Sequence, residues 1–168
     1  MPTLFIFSGL PGAGKTTLAR KLAQRFSAIH LRIDTIEQGL RDLCHVRVEG
    51  EGYRLAYRIA ADNLQLGLDV IADSCNPIEL TRGEWESVAR NNSAEFVNIE
   101  VVCSDRDEHR RRVETRAAAV PGLQLPTWDE VAHRQYDAWT RPRIAIDTAH
   151  RTSDKCLDDL TAHLRRSR

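Results

Sequence analysis

At 168 residues the chain is long enough for one domain with a real core, and its 24 basic residues match its 24 acidic ones, for a formal net charge of zero. That balance argues against a dedicated nucleic-acid binder, which carries a net basic face. The N-terminal apolar run is too short for a signal peptide and no run approaches membrane-spanning length, so a cytoplasmic location is expected; Cys44, Cys75, Cys103 and Cys156 are scattered without a C-x-x-C, as free thiols in a reducing compartment would be.

Leu4 to Phe7 is a wholly apolar run with aromatic and β-branched members, which suits a strand buried on both faces. The nine residues GLPGAGKTT, Gly9 to Thr17, follow at once. Glycines in such a loop let backbone N–H groups approach a ligand closely. Lys15 supplies a charge for the β- and γ-phosphates and the Thr16 hydroxyl a ligand for Mg²⁺. Leu18, Ala19, Leu22, Ala23 and Phe26 then recur at helical spacing, so a helix N-terminus points its dipole at the phosphates. The strand–loop–helix context lifts the G-x-x-x-x-G-K-T pattern well above a chance match.

Further along, Ile29 to Ile33 reads as a second strand ending at Asp34, and DTIEQGLRDL as a helix with Ile36, Leu40 and Leu43 on one side. HVRVEGEG reads as a loop, Tyr53 to Leu68 as an amphipathic helix, and DVIAD as a third buried strand closing on Asp73. A capping box over Thr81 to Glu84 opens a helix to about Arg90. FVNIEVVC is the fourth strand, and Ser104 the cap of the helix DRDEHRRRVETRAA. Pro121, Gly122 and Pro126 mark a loop, and a second capping box, Thr127 to Glu130, opens a helix to about Trp139. RIAID is the fifth strand; Ser153 caps a terminal helix whose tail, HLRRSR, reads as a frayed end. Short apolar strands alternating with helices imply an α/β fold, a parallel sheet covered on both faces, with ligands beyond the carboxyl ends of the strands. No repeat or linker divides residues 1–168, so a single domain is expected.

That placement rule selects the residues just after each strand. Asp34 either accepts a proton from an attacking hydroxyl or holds an Mg²⁺-bound water, and it equally suits a helix cap. Asp73 is a candidate support for Mg²⁺ or a turn-forming residue of DSCNP. Asn76 either hydrogen-bonds a substrate or shapes the Asn-Pro turn. Arg112 and Arg116, four apart on the expected helix, share a face and suit a lid over approximately residues 110–127 that closes on a nucleotide; the alternative is a solvated basic face paired with Glu108 and Glu114. Cys75 reads as a small packed residue, and the histidines, His109 among them, as surface or packing residues. Tyr53, Tyr57, Trp85, Trp128, Tyr136 and Trp139 are too dispersed for a base-stacking platform, and Tyr53 and Trp85 read as core.

GLPGAGKTT, Asp34 after the second strand, IADSCN after the third, RRVETR as a lid and IDTA after the fifth together resemble one family. It is the group of small P-loop kinases that includes adenylylsulfate kinase, gluconate kinase, chloramphenicol phosphotransferase and the 5′-kinase domain of polynucleotide kinases. The resemblance covers nearly the whole chain. It implies a P-loop NTPase three-layer sandwich with strand order 2-3-1-4-5, ATP·Mg²⁺ as donor and phosphoryl transfer to a hydroxyl. It implies that Gly9, Pro11, Gly12, Ala13, Gly14, Lys15, Thr16 and Thr17 hold the phosphates, with Thr16 and Asp73 at the metal. Asp34 falls on the residue that activates the acceptor, with Asn76 as its neighbour at the substrate; Arg112 and Arg116 fall on the lid arginines, and Asp147 and Thr148 border the base. In polynucleotide 5′-kinases an arginine three residues beyond the catalytic Asp grips the acceptor phosphate; Glu37 stands there in this chain, and the signature of adenylylsulfate kinases is not evident around RIDTIEQ. The expected protein is therefore an ATP-dependent kinase of a small hydroxyl compound, monomer or homodimer, whose acceptor is polar and uncharged or cationic, to suit Asp34, Glu37 and Asp73. The alternatives are a polynucleotide 5′-hydroxyl kinase and an ATP-dependent switch with weak ATPase activity.

Overall fold

The computed structural model describes residues 1–166. Ser167 and Arg168, the end of the tail read as frayed, lie outside the described residues; the terminal helix itself runs through Arg166. Five strands form one sheet: β1 (Thr3–Ser8), β2 (Ile29–Arg32), β3 (Val70–Asp73), β4 (Glu95–Val102) and β5 (Ile144–Asp147). Their order is β2-β3-β1-β4-β5 and every pairing is parallel. This is the P-loop NTPase fold.

β1 shows why the strands read as unbroken apolar runs. Successive side chains of a strand point to opposite faces. Phe5 and Phe7 enter one core with Leu18 and Leu22 of α1 (Lys15–Phe26) and Leu160 of α7 (Ser153–Arg166). Leu4 and Ile6 enter the other with Ala60 and Leu64 of α3 (Glu51–Gln65) and Trp85 of α4 (Glu79–Asn91). Both faces are covered, so both sets are apolar. Tyr57 packs edge-on to Trp85, with ring centroids 4.6 Å apart; Trp85 is buried in this second core and Tyr53 packs against it, as expected of these two.

Several boundaries differ from the sequence expectation, each for a physical reason. α2 (Ile33–Cys44) begins one residue after β2, so Asp34 sits in the first turn of a helix rather than at a strand end. The capping box read at Thr81 is absent: α4 starts at Glu79, and the Thr81 hydroxyl donates to the Ile78 carbonyl. The Glu79 N–H is instead met from afar by Asp137 Oδ2 at 3.0 Å. α5 (Arg106–Thr115) is capped by Asp105, whose carboxylate accepts from Glu108 N, not by Ser104. The Thr127/Glu130 capping box is present, but α6 (Trp128–Ala132) stops well short of Trp139. At the start of α7 the Thr152 hydroxyl accepts from Lys155 N, so the cap lies one residue before Ser153.

The segment that follows α6 is fastened to α4 by one buried arginine. Arg82 on α4 is wholly buried, and a buried guanidinium needs acceptors on every side. Its Nη atoms donate to the carbonyls of Asp137 and Ala138, and of Pro77, while Nε reaches Asn76 O. The Trp139 and Tyr136 rings lie 4.1 and 5.0 Å from its central carbon. These bonds strap the segment after α6 across α4.

Candidate active site

The loop between β1 and α1 is held from beneath. A Cβ on Gly9 would lie 2.2 Å from the Val101 carbonyl oxygen, so only glycine fits between β1 and β4 there. The Gly9 N–H is spent on Cys75 O, the Ala13 N–H on Leu10 O, and Pro11 has none. The N–H groups of Gly14, Lys15, Thr16 and Thr17 have no backbone acceptor, as expected for the open end of a helix. No acidic residue occupies the first turn of α1, so its positive end is uncompensated. Lys15 is 9% exposed and its Nζ donates to Leu10 O at 3.1 Å; no carboxylate among the described residues pairs with it. A buried ammonium and a row of free amides call for an anion.

Helix α5 braces this loop. His109 Nε2 donates to the Pro11 carbonyl at 2.8 Å, and its ring stands edge-on to Trp128 with centroids 5.3 Å apart. Burial, reinforced by Lys15, Arg112 and Arg116, pushes the imidazole below its ordinary value. Arg112 Nη1 donates to the Thr148 hydroxyl at 2.7 Å, and Nη2 to the Thr148 carbonyl at 2.9 Å and to Glu108. The Thr148 hydroxyl in turn donates to Ala13 O at 2.7 Å. One chain of bonds thus ties α5, the loop after β5 and the phosphate loop together.

In front of these groups lies a cavity of about 1010 Å³, beyond the carboxyl ends of the strands. That is the upper end of the range for a small-molecule site, about 300–1,000 Å³. Its donor end is lined by Gly12, Gly14, Lys15, Thr16, Thr17, Arg112 and Thr148; its floor by Asp73 and Ser74; its far end by Arg32, Asp34, Glu37, Gln38, Arg116 and Arg134. The segment Ala117 to Pro126 closes the top. A Cβ on Gly122 would lie 3.1 Å from Gln38 Nε2, so this segment rests on α2.

Most of the sequence-selected residues converge here: Pro11, Gly12, Gly14, Lys15, Thr16, Thr17, Asp34, Asp73, Arg112, Arg116 and Thr148 all line the cavity. Gly9 and Ala13 support the loop from behind. Asn76 is a correction. It is fully buried in a left-handed conformation (φ 50°), its side-chain amide donates to Ser8 Oγ, and its N–H donates to the buried Tyr53 hydroxyl. It fastens the loop after β3 to β1 and does not line the cavity. α5 ends at Thr115, and Arg116 is its C-cap, with its N–H bonded to Arg112 O and an extended ψ that turns the following chain out of the helix. Asp147 accepts from Ser104 N and Ala149 N, bonds that hold its carboxyl below the usual range despite partial burial, and it shapes the loop carrying Thr148.

The charge of the far end also differs from the expectation. Asp73 is buried and its Oδ2 lies 3.1 Å from His30 Nε2. Glu37 is packed under Gly52 and paired with Arg41 at 3.3 Å; burial pushes its carboxyl above the ordinary value, partly offset by Arg41. Asp34 is the exposed carboxylate of this end, at 53% side-chain exposure, with Arg32 Nη2 at 3.5 Å and with Arg116 and Arg134 lining the same cavity. Sequence reasoning passed over Arg32 and Arg134. The signal for Arg32 was its place as the last residue of the strand IHLR, at the carboxyl end where ligands lie.

The comparisons with known proteins agree with this geometry. The family profile described as AAA domain matches residues 4–139. An adenylyl-sulfate kinase of Synechococcus sp. (strain JA-3-3Ab) is 26% identical over 170 residues, covering 95% of this chain and 92% of that protein. An adenylyl-sulfate kinase of Shewanella baltica (strain OS155) is 30% identical over 164 residues, covering 88% of this chain and 74% of that protein. Among solved structures, that of the Mycobacterium tuberculosis APS kinase in complex with AMPPNP and APS superimposes with a TM-score of 0.72 at 18% identity, covering 98% of both chains.

Proposed function

The chain belongs to the AAA-domain family and is a P-loop kinase with a hydroxyl acceptor, and from that premise we propose that it transfers the γ-phosphoryl group of ATP to a small molecule whose hydroxyl is activated by Asp34. The observation that carries this reading is one cavity with an anion cradle at one end and an exposed carboxylate at the other.

The residues present fit ATP·Mg²⁺. The free amides from Gly14 to Thr17 and the unpaired Lys15 suit the phosphates. Thr16 and Asp73 would hold Mg²⁺, which when bound neutralises charge on the phosphate oxygens. Lys15 and Arg112 draw charge from the three oxygens of the group in transit, where interactions in a dry cavity are strongest. Asp34 takes the proton from the acceptor hydroxyl as the new O–P bond forms and the bond between the γ-phosphorus and the β,γ-bridging oxygen breaks, with ADP as the leaving group. Residues 110–127 act as the lid that excludes water from the γ-phosphate and so limits idle hydrolysis. Most of the rate enhancement arises from positioning and electrostatics.

The test uses γ-labelled ATP, the wild type and Asp34→Ala, with a metabolite extract, adenylyl sulfate, gluconate, and a pool of 5′-hydroxyl RNA and DNA. Label on a small molecule with wild type only, with nucleotide affinity unchanged in the variant, is the expected result. Label on nucleic acid, or release only as free phosphate, overturns the reading.

A further inference from the structure

Leu10 to Ala13 form a tight turn at the tip of the phosphate loop, closed by the Ala13 N–H, which donates to the Leu10 carbonyl at 3.2 Å. Pro11 holds its second position and Gly12 its third, at φ +82°. A glycine with φ of about +80° at the third position marks a type II turn. Type I differs from type II by a flip of the central peptide, here the one that joins Pro11 to Gly12. Proline suits the second position of both types, and glycine accepts either sign of φ. The local sequence therefore leaves the flip open.

The flip matters because the two edges of a peptide carry opposite partial charges. In a trans peptide the C=O and the N–H point in opposite directions, and none of the described peptides is cis. The Pro11 carbonyl points to α5 and accepts from His109 Nε2 at 2.8 Å. The Gly12 N–H consequently points away from α5; it has no hydrogen-bond partner among the described residues, and Gly12 lines the cavity. Flipped, the same peptide would turn a carbonyl oxygen toward the phosphates in place of a donor. The Leu10 carbonyl also accepts from Lys15 Nζ at 3.1 Å, so the turn and the lysine are set together.

His109 is itself firmly held. It is 8% exposed, and Trp128 stands edge-on to its ring. A Cβ on Gly12 would lie 2.6 Å from Val113 Cγ2, so the turn packs tightly on α5 beside the imidazole. Burial, with Lys15, Arg112 and Arg116 nearby, favours the neutral ring, whose one proton then sits on Nε2 to meet the carbonyl.

We infer that His109 is a positioning residue of the donor site: it holds the Pro11 carbonyl outward and so keeps the Gly12 N–H in the cradle that meets the β- and γ-phosphates. The inference rests on the kinase reading above and adds a residue outside the phosphate loop that fixes which edge of a loop peptide the nucleotide meets.

The experiment compares wild type, His109→Gln and His109→Leu by calorimetry with ADP·Mg²⁺ and AMPPNP·Mg²⁺, by a urea melt, and by NMR of the Gly12 amide. Glutamine keeps an N–H donor, and leucine fills the space without one. The Gly12 amide proton of the wild type is expected to move downfield as ADP·Mg²⁺ binds. His109→Leu is expected to weaken both nucleotides roughly tenfold or more, and His109→Gln to stay within about threefold of wild type. Lower urea stability with nucleotide affinity unchanged, or equal losses of affinity in the two variants, overturns the inference. The wild-type amide serves if His109→Leu does not fold: a Gly12 signal that stays put while those of Gly14 to Thr17 move overturns the inference and leaves the kinase reading intact. Failure of the wild type to bind either nucleotide strikes the kinase reading; sodium pyrophosphate then replaces the nucleotide, and a Gly12 amide that it does not move overturns the inference as well.

Discussion

Arg112 and Arg116 lie four residues apart and reach opposite ends of one cavity. Arg112 is on α5 and bonds the Thr148 hydroxyl and carbonyl at 2.7 and 2.9 Å, beside the phosphate loop. Arg116 is the first residue beyond α5, extended, and turns toward Asp34, Arg32 and Arg134.

Their variants should therefore fail differently. Arg112→Ala is expected to lower kcat by about 10³-fold, in the range of a lost phosphoryl-stabilising arginine. Arg116→Ala should raise the KM for the acceptor more than that for ATP. Steady-state kinetics with each substrate varied in turn separates the two, and equal effects on both substrates from both variants would falsify the division of labour.

Lys15 Nζ donates to Leu10 O and pairs with no carboxylate among the described residues. Lys15→Met removes a charge-assisted contact worth about 1.5–3 kcal/mol, so nucleotide affinity should fall roughly 10- to 100-fold with little change in stability. Fluorescent-nucleotide displacement and a urea melt read the two quantities; unchanged affinity would place the phosphates elsewhere.

Arg82 stands apart from the chemistry and holds the architecture. Arg82→Met would strand the carbonyls of Asn76, Pro77, Asp137 and Ala138, at about 1–3 kcal/mol for each left dry. A loss of about 3 kcal/mol or more in urea denaturation is expected. Arg82→Lys should not rescue it, because one ammonium cannot span four carbonyls and two rings. A variant of wild-type stability would mean that the strap over α4 is held by other contacts.

The pH dependence of stability has a definite sign at His109. Burial lowers its folded value from the ordinary 6.5, so the folded protein favours the neutral ring. Above the unfolded value both states are neutral and the contribution is complete. As pH falls below it the unfolded chain binds the proton first, and stability declines. His109→Gln should flatten the fall in stability between about pH 7 and pH 5. Identical slopes for the variant and wild type would count against a neutral, buried His109.

Much of the donor half was legible from local sequence. Leu4 to Phe7 alternates between two cores and so had to be apolar throughout, and the residues from Gly12 to Thr17 act largely through their own backbone. Local rules also found the Thr127/Glu130 capping box, because both partners lie within one turn. They misplaced the start of α4, because Asp137 caps it across more than fifty residues.

The acceptor half was not legible in that way. Glu37 read as a free negative charge until Arg41 and Gly52 closed on it. Asn76 read as a substrate contact until Ser8 and Tyr53 took its bonds. Arg32 and Arg134 are about a hundred positions apart and meet only when β2 and the segment after α6 reach the same cavity. The sequence by itself determined a parallel α/β kinase fold with a phosphate loop, since backbone geometry and strand patterning are short-range properties. Only the tertiary structure decided which charges at the acceptor end are spent and which remain open, because a charge is neutralised by its neighbours in space.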